Sequence, residues 1–349
     1  MPRENCAFGP GRVNLIGEHT DYNQGLALPF AIADGVTVRA REHAPGSPVA
    51  GIIEAHAEDL GERDSFSVAD VAPVEGWRAF VRGVAAELTL AGVPVPGATL
   101  RIAGGIARGA GLSSSAALEV ALCLALADLA GHDEMDLVQI AVLCARVENR
   151  WVGAQTGVLD QLASLFGARE SALLIDFRTL HVEHVPLHLD GWSLAVMDSG
   201  ERHSNVSSGY NQRRRECARA CELLGLPSLR EASERDLARL PEPERSRAAH
   251  VIGENERVLA AVGALRAGDM AALGALLDRS HASERDLFDV STPTVERTVQ
   301  DMLAAGAAGA RLMGGGFGGS VLGLFPPGRQ PPAGAREVTP GPGARLLES

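Results

Sequence analysis

Residues 104–117 read Gly104-Gly105-Ile106-Ala107-Arg108-Gly109-Ala110-Gly111-Leu112-Ser113-Ser114-Ser115-Ala116-Ala117, a glycine-rich run ending in three consecutive hydroxyls. Residues 98–102 before it are strand-like, and a helical pattern follows it to about Gly131, so the order is a glycine loop opening a helix. A phosphate site needs free backbone N–H groups at a helix N-terminus, close approach without a Cβ, and a hydroxyl to meet a metal. This segment supplies all three, and the small residues Ala116 and Ala117 let the loop pack tightly. The same residues also suit an N-capped loop with no ligand, and the loop alone leaves both readings open.

All 32 basic residues are arginine and the chain has no lysine, which excludes a Schiff-base lysine and the lysine of a Walker A loop. Phosphate contacts must therefore come from arginine and backbone. A second glycine run, Gly314-Gly315-Gly316-Phe317-Gly318-Gly319, carries Gly-x-Gly-x-x-Gly spacing at 314, 316 and 319. A dinucleotide fingerprint opens a helix, whereas residues 320–325 are strand-like, so this run reads as a glycine-lined wall of a cleft or a tight turn. Residues 9–23 form the densest polar cluster, with Arg12, Glu18, His19 and Asp21 flanked by glycines. Paired carboxylates accept hydrogen bonds from neighbouring sugar hydroxyls, so the cluster suits a polyhydroxylated ligand, with a solvated turn as the alternative.

The 349 residues suggest two domains, each large enough for a core, with the change near 187/188. Forty-four acidic against 32 basic residues give a charge of -12, which repels phosphate backbones and anionic lipid. Small-molecule partners are expected, with no nucleic acid, no membrane and no obligate protein partner. Five cysteines without a Cys-x-x-Cys pair, and no basic-then-apolar leader, predict a cytoplasmic protein. The periodicity predicts a turn-rich segment at 9–23, strands at 26–32 and 36–38, helices at 77–90 and 135–151 and from about 160, and strands at 173–177, 182–186 and 193–198. A helix at 210–224, a polar connection at 231–247, and helices at 254–266, 269–280 and 294–305 follow. His181, His184 and His188 alternate faces of a strand and make a poor metal site, Cys217 and Cys221 read as core, and Arg213-Arg214-Arg215 reads as a solvated or salt-bridged helix face.

Taken together, these segments resemble the GHMP small-molecule kinases, and within them the galactokinase family. Gly11-Arg12-Val13-Asn14-Leu15-Ile16-Gly17-Glu18-His19-Thr20-Asp21-Tyr22-Asn23 looks like that family's N-terminal signature, Gly109 to Ala117 its second motif and Gly314 to Gly319 its third. Gly157-Val158-Leu159-Asp160-Gln161, Glu148 twelve residues before Asp160, and Ser207-Ser208-Gly209-Tyr210 before the arginines agree in order and spacing, so the likeness covers nearly the whole chain. The resemblance implies an α+β, two-domain GHMP kinase fold, residues 1–187 and 188–349, with the active site in the cleft between two α/β domains. It implies phosphorylation of the anomeric hydroxyl of galactose to galactose 1-phosphate by ATP with Mg²⁺. Carried over motif by motif, Arg12 and Asp160 are catalytic, and Glu18, His19, Thr20, Asp21, Gly157 and Tyr210 meet the sugar. Gly109, Ala110, Gly111, Leu112, Ser113, Ser114 and Ser115 cradle the triphosphate, and Ser115 and Glu148 hold Mg²⁺. A hydroxyl and a carboxylate are hard oxygen donors of the kind Mg²⁺ takes. Gln155-Thr156, Met313 and Ser320 depart from residues common in the family, which touches fine specificity. A related kinase acting on arabinose or an N-acetylhexosamine, or a galactose- and ATP-binding sensor without turnover, are the alternatives. The complete Ser113 to Ala117 segment with Arg12 and Asp160 favours an enzyme.

Overall fold

Five strands open the chain: β1 (Glu4–Asn14), β2 (Leu26–Ala27), β3 (Pro29–Glu42), β4 (Ile52–Ala57) and β5 (Glu62–Ser67). Helix α1 (Trp77–Leu90), strand β6 (Ala98–Gly104) and helices α2 (Ser114–Leu129), α3 (Leu137–Val147) and α4 (Leu159–Phe166) follow. Then come β7 (Ser171–Asp176), β8 (His181–Pro186), β9 (Ser193–Asp198), and helices α5 (Val206–Leu224), α6 (Glu244–Ala267), α7 (Met270–Ser283) and α8 (Pro293–Ala304). The chain closes with β10 (Gly309–Met313), β11 (Ser320–Phe325), β12 (Arg336–Val338) and β13 (Arg345–Leu346). This computed structural model describes residues 2–106, 111–132, 134–154, 156–201 and 206–348, without the side chains of 206–208.

The largest sheet runs β13-β1-β3-β6-β4-β5 and is antiparallel except for the β4/β6 pair. A three-stranded sheet runs β2-β7-β8, and a four-stranded one runs β10-β11-β9-β12. Helix α2 is apolar around its whole circumference, as a helix enclosed by protein must be, and it lies on β1 and β3. One apolar core extends from Val13 and Phe30 through Leu122 and Leu126 of α2 to Leu322 and Leu324 of β11. A second, around Phe288, Leu312 and Phe325, sits among α5, α8 and β10. The last strand, β13, returns to pair with β1, Leu346 opposite Ala7. Among the described residues no helix is long and apolar enough to cross a membrane.

Several elements differ from the sequence reading: the strands expected at 26–32 and 36–38 are the short β2 and the continuous β3, and the β4–β5 hairpin was not expected. Residues 9–14 are strand, not turn: a Cβ at Gly9 would stand 2.1 Å from the Ala117 carbonyl oxygen, and one at Gly11 2.5 Å from that of Leu112. These glycines let the strand approach the loop and α2 closely. Helix α6 begins at Glu244, ten residues before the predicted start, because Arg247 and His250, polar but buried, hide its apolar period. The predicted helix at 135–151 ends as α-helix at Val147 and continues as a π-turn, Glu148–Val152, which turns the Glu148 carboxylate into the interior.

Candidate active site

Arg12, near the end of β1, and Asp160, in the first turn of α4, face each other in a two-point ion pair. Arg12 Nε donates to Asp160 Oδ1 at 2.7 Å and Nη2 to Oδ2 at 2.9 Å. The remaining guanidinium nitrogen, Nη1, donates to the Gly111 carbonyl at 2.7 Å, and the Arg12 amide to the Leu112 carbonyl at 3.1 Å, so one residue ties strand, glycine loop and helix together. Ser113 occupies left-handed backbone space (φ 55°) at the helix start, and its hydroxyl donates to Asp160 Oδ2 rather than capping α2. An ionised carboxylate has about four lone-pair sites, and Asp160 has three donors already, which leaves about one for another O–H. With its side chain 27% exposed, Asp160 keeps that site open to the cavity beside it.

That cavity, about 460 Å³, is lined by Arg12, Glu18, His19, Asp21, Gly157, Asp160 and Tyr210 together with Gly314 and Gly315. Seven of the predicted site residues thus converge on it. Glu18 is buried, and its Oε1 accepts the Gly314 amide at 2.8 Å, joining the first signature to the third. His19 (φ 60°) stacks on Phe288, ring centroids 4.4 Å apart, and its Nδ1 shares a 2.9 Å hydrogen bond with the Tyr22 hydroxyl. Its Nε2 is buried with no hydrogen-bond partner among the described residues. Burial, helped by His250, Arg213 and Arg311, holds the imidazole well below its usual pKa, so the ring is neutral. Burial raises Asp21 to about 6, with Asp160 and Glu18 adding repulsion against a backbone hydrogen bond. Tyr210 lies against Gly315, where a Cβ would stand 3.0 Å from the ring. Thr20 does not line the cavity: it is fully buried, and its hydroxyl lies 2.8 and 2.7 Å from the Gly17 and Leu26 carbonyls, closing the turn. Its hydroxyl thus holds the loop's shape instead of facing the cavity.

A second cavity of about 680 Å³ is lined by Ser114 and Ser115, with Leu60, Trp77, Phe80 and Ile102 as apolar wall. Sequence reasoning missed that wall, because a Trp and a Phe at helical spacing read equally well as core and the β4–β5 hairpin carries no motif. Gly109 and Ala110, and the departure at Gln155, lie outside the described residues. Glu148 hydrogen-bonds the Ser115 side chain and accepts Thr156 Oγ1 at 2.5 Å, while burial raises its pKa. Glu119, fully buried beneath, is pushed well up by burial and by Glu148, and Gln161 Nε2 reaches it at 3.2 Å. A carboxylate whose charge is this poorly solvated, with a hydroxyl beside it, is a donor set that fits a small hard cation such as Mg²⁺.

The arginine run is salt-bridged as predicted at Arg213, which is buried and pairs with Glu216 and Asp289, anchoring α5. Cys217 is core, with burial taking its thiol to about 12.

Family models match in three places: the galactokinase galactose-binding signature at residues 2–42, the GHMP kinases N terminal domain at 79–168 and the GHMP kinases C terminal at 261–340. The galactokinase of Thermotoga neapolitana is 39% identical over 316 residues, covering 90% of this chain and 87% of that protein. That of Mycobacterium tuberculosis is 43% identical over 329 residues, 92% of this chain and 88% of the relative. The chain belongs to the galactokinase family. Lactococcus lactis galactokinase, solved in complex with galactose, superposes on this galactokinase-family chain with a TM-score of 0.91 at 30% identity, covering 99% of this chain and 95% of the other. Mevalonate kinase, at 18% identity and a TM-score of 0.64 over 92% and 91% of the two chains, shares the fold. The α+β GHMP kinase architecture expected from the motifs is therefore the architecture of this galactokinase-family member.

Proposed function

We propose that this kinase transfers the γ-phosphoryl group of ATP to the anomeric hydroxyl of galactose, giving galactose 1-phosphate. The observation that carries the reading is the Arg12–Asp160 pair, set between the cavity of Glu18, His19 and Asp21 and the glycine loop whose Ser113 it holds. The sugar would sit in the first cavity, with Glu18 and Asp21 accepting from its hydroxyls, His19 Nε2 offering a buried hydrogen-bonding atom and Tyr210 and Gly157 shaping the wall. ATP would lie in the second cavity, its base against Trp77 and Phe80 and its phosphates on Gly109, Ala110, Gly111, Leu112, Ser113, Ser114 and Ser115 at the start of α2. The halves 1–187 and 188–349 would wall the cleft.

Asp160 accepts the anomeric O–H on its remaining lone pair and orients the oxygen toward the γ-phosphorus; as that oxygen bonds to phosphorus the bond to the bridging oxygen breaks, ADP leaves, and the hydroxyl proton passes late to the Asp160 carboxylate. Arg12 stabilises charge on the transferring group, which in a loose transition state is spread over the phosphoryl oxygens. A carboxylate so committed to its donors serves orientation better than early proton abstraction. Ser115 and Glu148 would hold Mg²⁺, which when bound neutralises phosphate charge.

The test is ADP release over a panel of galactose, glucose, arabinose, N-acetylhexosamines and non-sugar alcohols. Galactose should exceed its C4 epimer glucose by on the order of 10⁴, since buried polar groups lose their partners with the wrong epimer. Comparable kcat/KM for the two sugars, or preference for another acceptor, overturns the assignment.

A further inference from the structure

The loop bearing Glu18, His19 and Asp21 has its main chain held by four buried side chains from the second half of the molecule. Arg311 on β10, with no exposed surface, donates from Nη1 to the carbonyls of Asn14 at 3.2 Å and Leu15 at 3.4 Å. The same nitrogen reaches Glu18 Oε1 at 3.4 Å, and Nη2 donates to the buried Glu284 at 3.0 Å. On α6, Glu254 Oε1 accepts the Gly17 amide at 2.9 Å and the Ser280 hydroxyl at 2.7 Å, while Oε2 accepts Arg257 Nε at 2.7 Å. His250 Nε2 lies 3.2 Å from the Glu18 carbonyl, so it carries the proton and donates. Asn255 Oδ1 accepts the Leu26 amide at 2.8 Å. None of the four lines the sugar cavity.

We infer that Arg311 and Glu254 are positioning residues for the sugar, fixing Glu18 and Asp21 by gripping the backbone of loop 14–26 from the C-terminal half. The inference rests on the reading of that loop as the sugar's contact surface. Several features support it. Every grip but one is on a main-chain group, so it sets loop position whatever the loop's side chains are. Arg311 spans two carbonyls and two carboxylates, a fan of contacts that a planar guanidinium can make and a single ammonium cannot. Burial by itself would raise the Glu254 carboxyl, but Arg257, His250 and Arg311 bring it to about 2, so a full charge is kept where the Gly17 amide needs an acceptor. The loop's position is thereby set from β10 and α6, far along the chain from the loop itself.

The experiment compares Arg311→Lys, Glu254→Met and Glu254→Gln with the wild type by two measurements. Amide hydrogen exchange of the ligand-free protein should show faster exchange in 14–26, with α2 unchanged, for Arg311→Lys and Glu254→Met. Glu254→Gln, which keeps the acceptor for Gly17 and Ser280, should restore protection. In kinetics the first two variants should raise the galactose KM by about 10–100-fold while the ATP KM stays within about twofold. Unchanged exchange in 14–26, or galactose and ATP KM values rising together, overturns the inference. If Arg311→Lys does not fold, the contrast between Met and Gln at 254 decides. A wild type that does not turn over galactose refutes the functional reading, and the exchange measurement still tests the grip.

Discussion

Gly157 stands so close to Asp21 that a Cβ added there would lie 1.9 Å from Asp21 Oδ2 and 3.0 Å from its Cβ. The neighbour that must yield is a side chain and not backbone, so Gly157→Ala should fold with a near-normal Tm while displacing the Asp21 carboxylate. A shift of about 1 Å at a ligand-positioning group costs on the order of 10²-fold. Calorimetry should show that loss for galactose and an unchanged affinity for ATP.

Asp21 has its pKa raised from 3.8 to about 6, chiefly by burial. Below 3.8 the folded and unfolded chains are both protonated here. Between the two values the native state keeps a proton the unfolded state has lost, so stability falls as pH rises, and above about 6 the full cost applies, about 2–3 kcal/mol at most. Asp21→Asn should therefore be more stable than wild type to urea at about pH 7.5 and no more stable near pH 4. Galactose binding has the opposite dependence, because the ionised carboxylate is the better acceptor. Wild-type affinity should weaken about tenfold between about pH 7 and pH 5, and Asp21→Asn should bind weakly at both.

Glu148 and Ser115 meet each other, with Ser115 on the wall of the second cavity, and neither lines the sugar cavity. Removing either donor, in Glu148→Gln or Ser115→Ala, should raise the Mg²⁺ concentration for half-maximal rate by on the order of tenfold or more. Galactose affinity without nucleotide should stay as in wild type. An unaltered Mg²⁺ titration in both variants removes them from the metal site.

The site was legible where chemistry and glycine coincide in one short run. Arg12, Glu18, His19 and Asp21 are neighbours in sequence, and Asp160 and Tyr210 sit beside further glycines, so motif reading found them. Thr20 was read with them, but a hydroxyl satisfied by two carbonyls of its own turn is a loop-forming group, and sequence spacing does not say which way it points. Trp77 and Phe80 were read only as a helix pattern, since an aromatic facing a cavity and one facing a core share the same period. Arg311 is an isolated polar residue in an apolar stretch, and Glu254 and His250 belong to a polar helix with no motif; the loop groups they bind lie 232 to 297 positions away, and only the fold brings them there. Residues 9–14 were misread as turn because a glycine needed for close packing looks the same in sequence as one needed for positive φ.

The most direct test of how the Arg12–Asp160 pair works is single-turnover phosphorylation of galactose by wild type, Arg12→Ala and Asp160→Asn. Thermal melting with and without ATP checks that each variant is folded, and both should still bind galactose. If charge stabilisation and orientation carry the step, Arg12→Ala loses on the order of 10³ in rate, at least as much as Asp160→Asn. An Arg12→Ala enzyme with near-wild-type rate beside a dead Asp160→Asn enzyme would contradict this and make proton abstraction by Asp160 the decisive event.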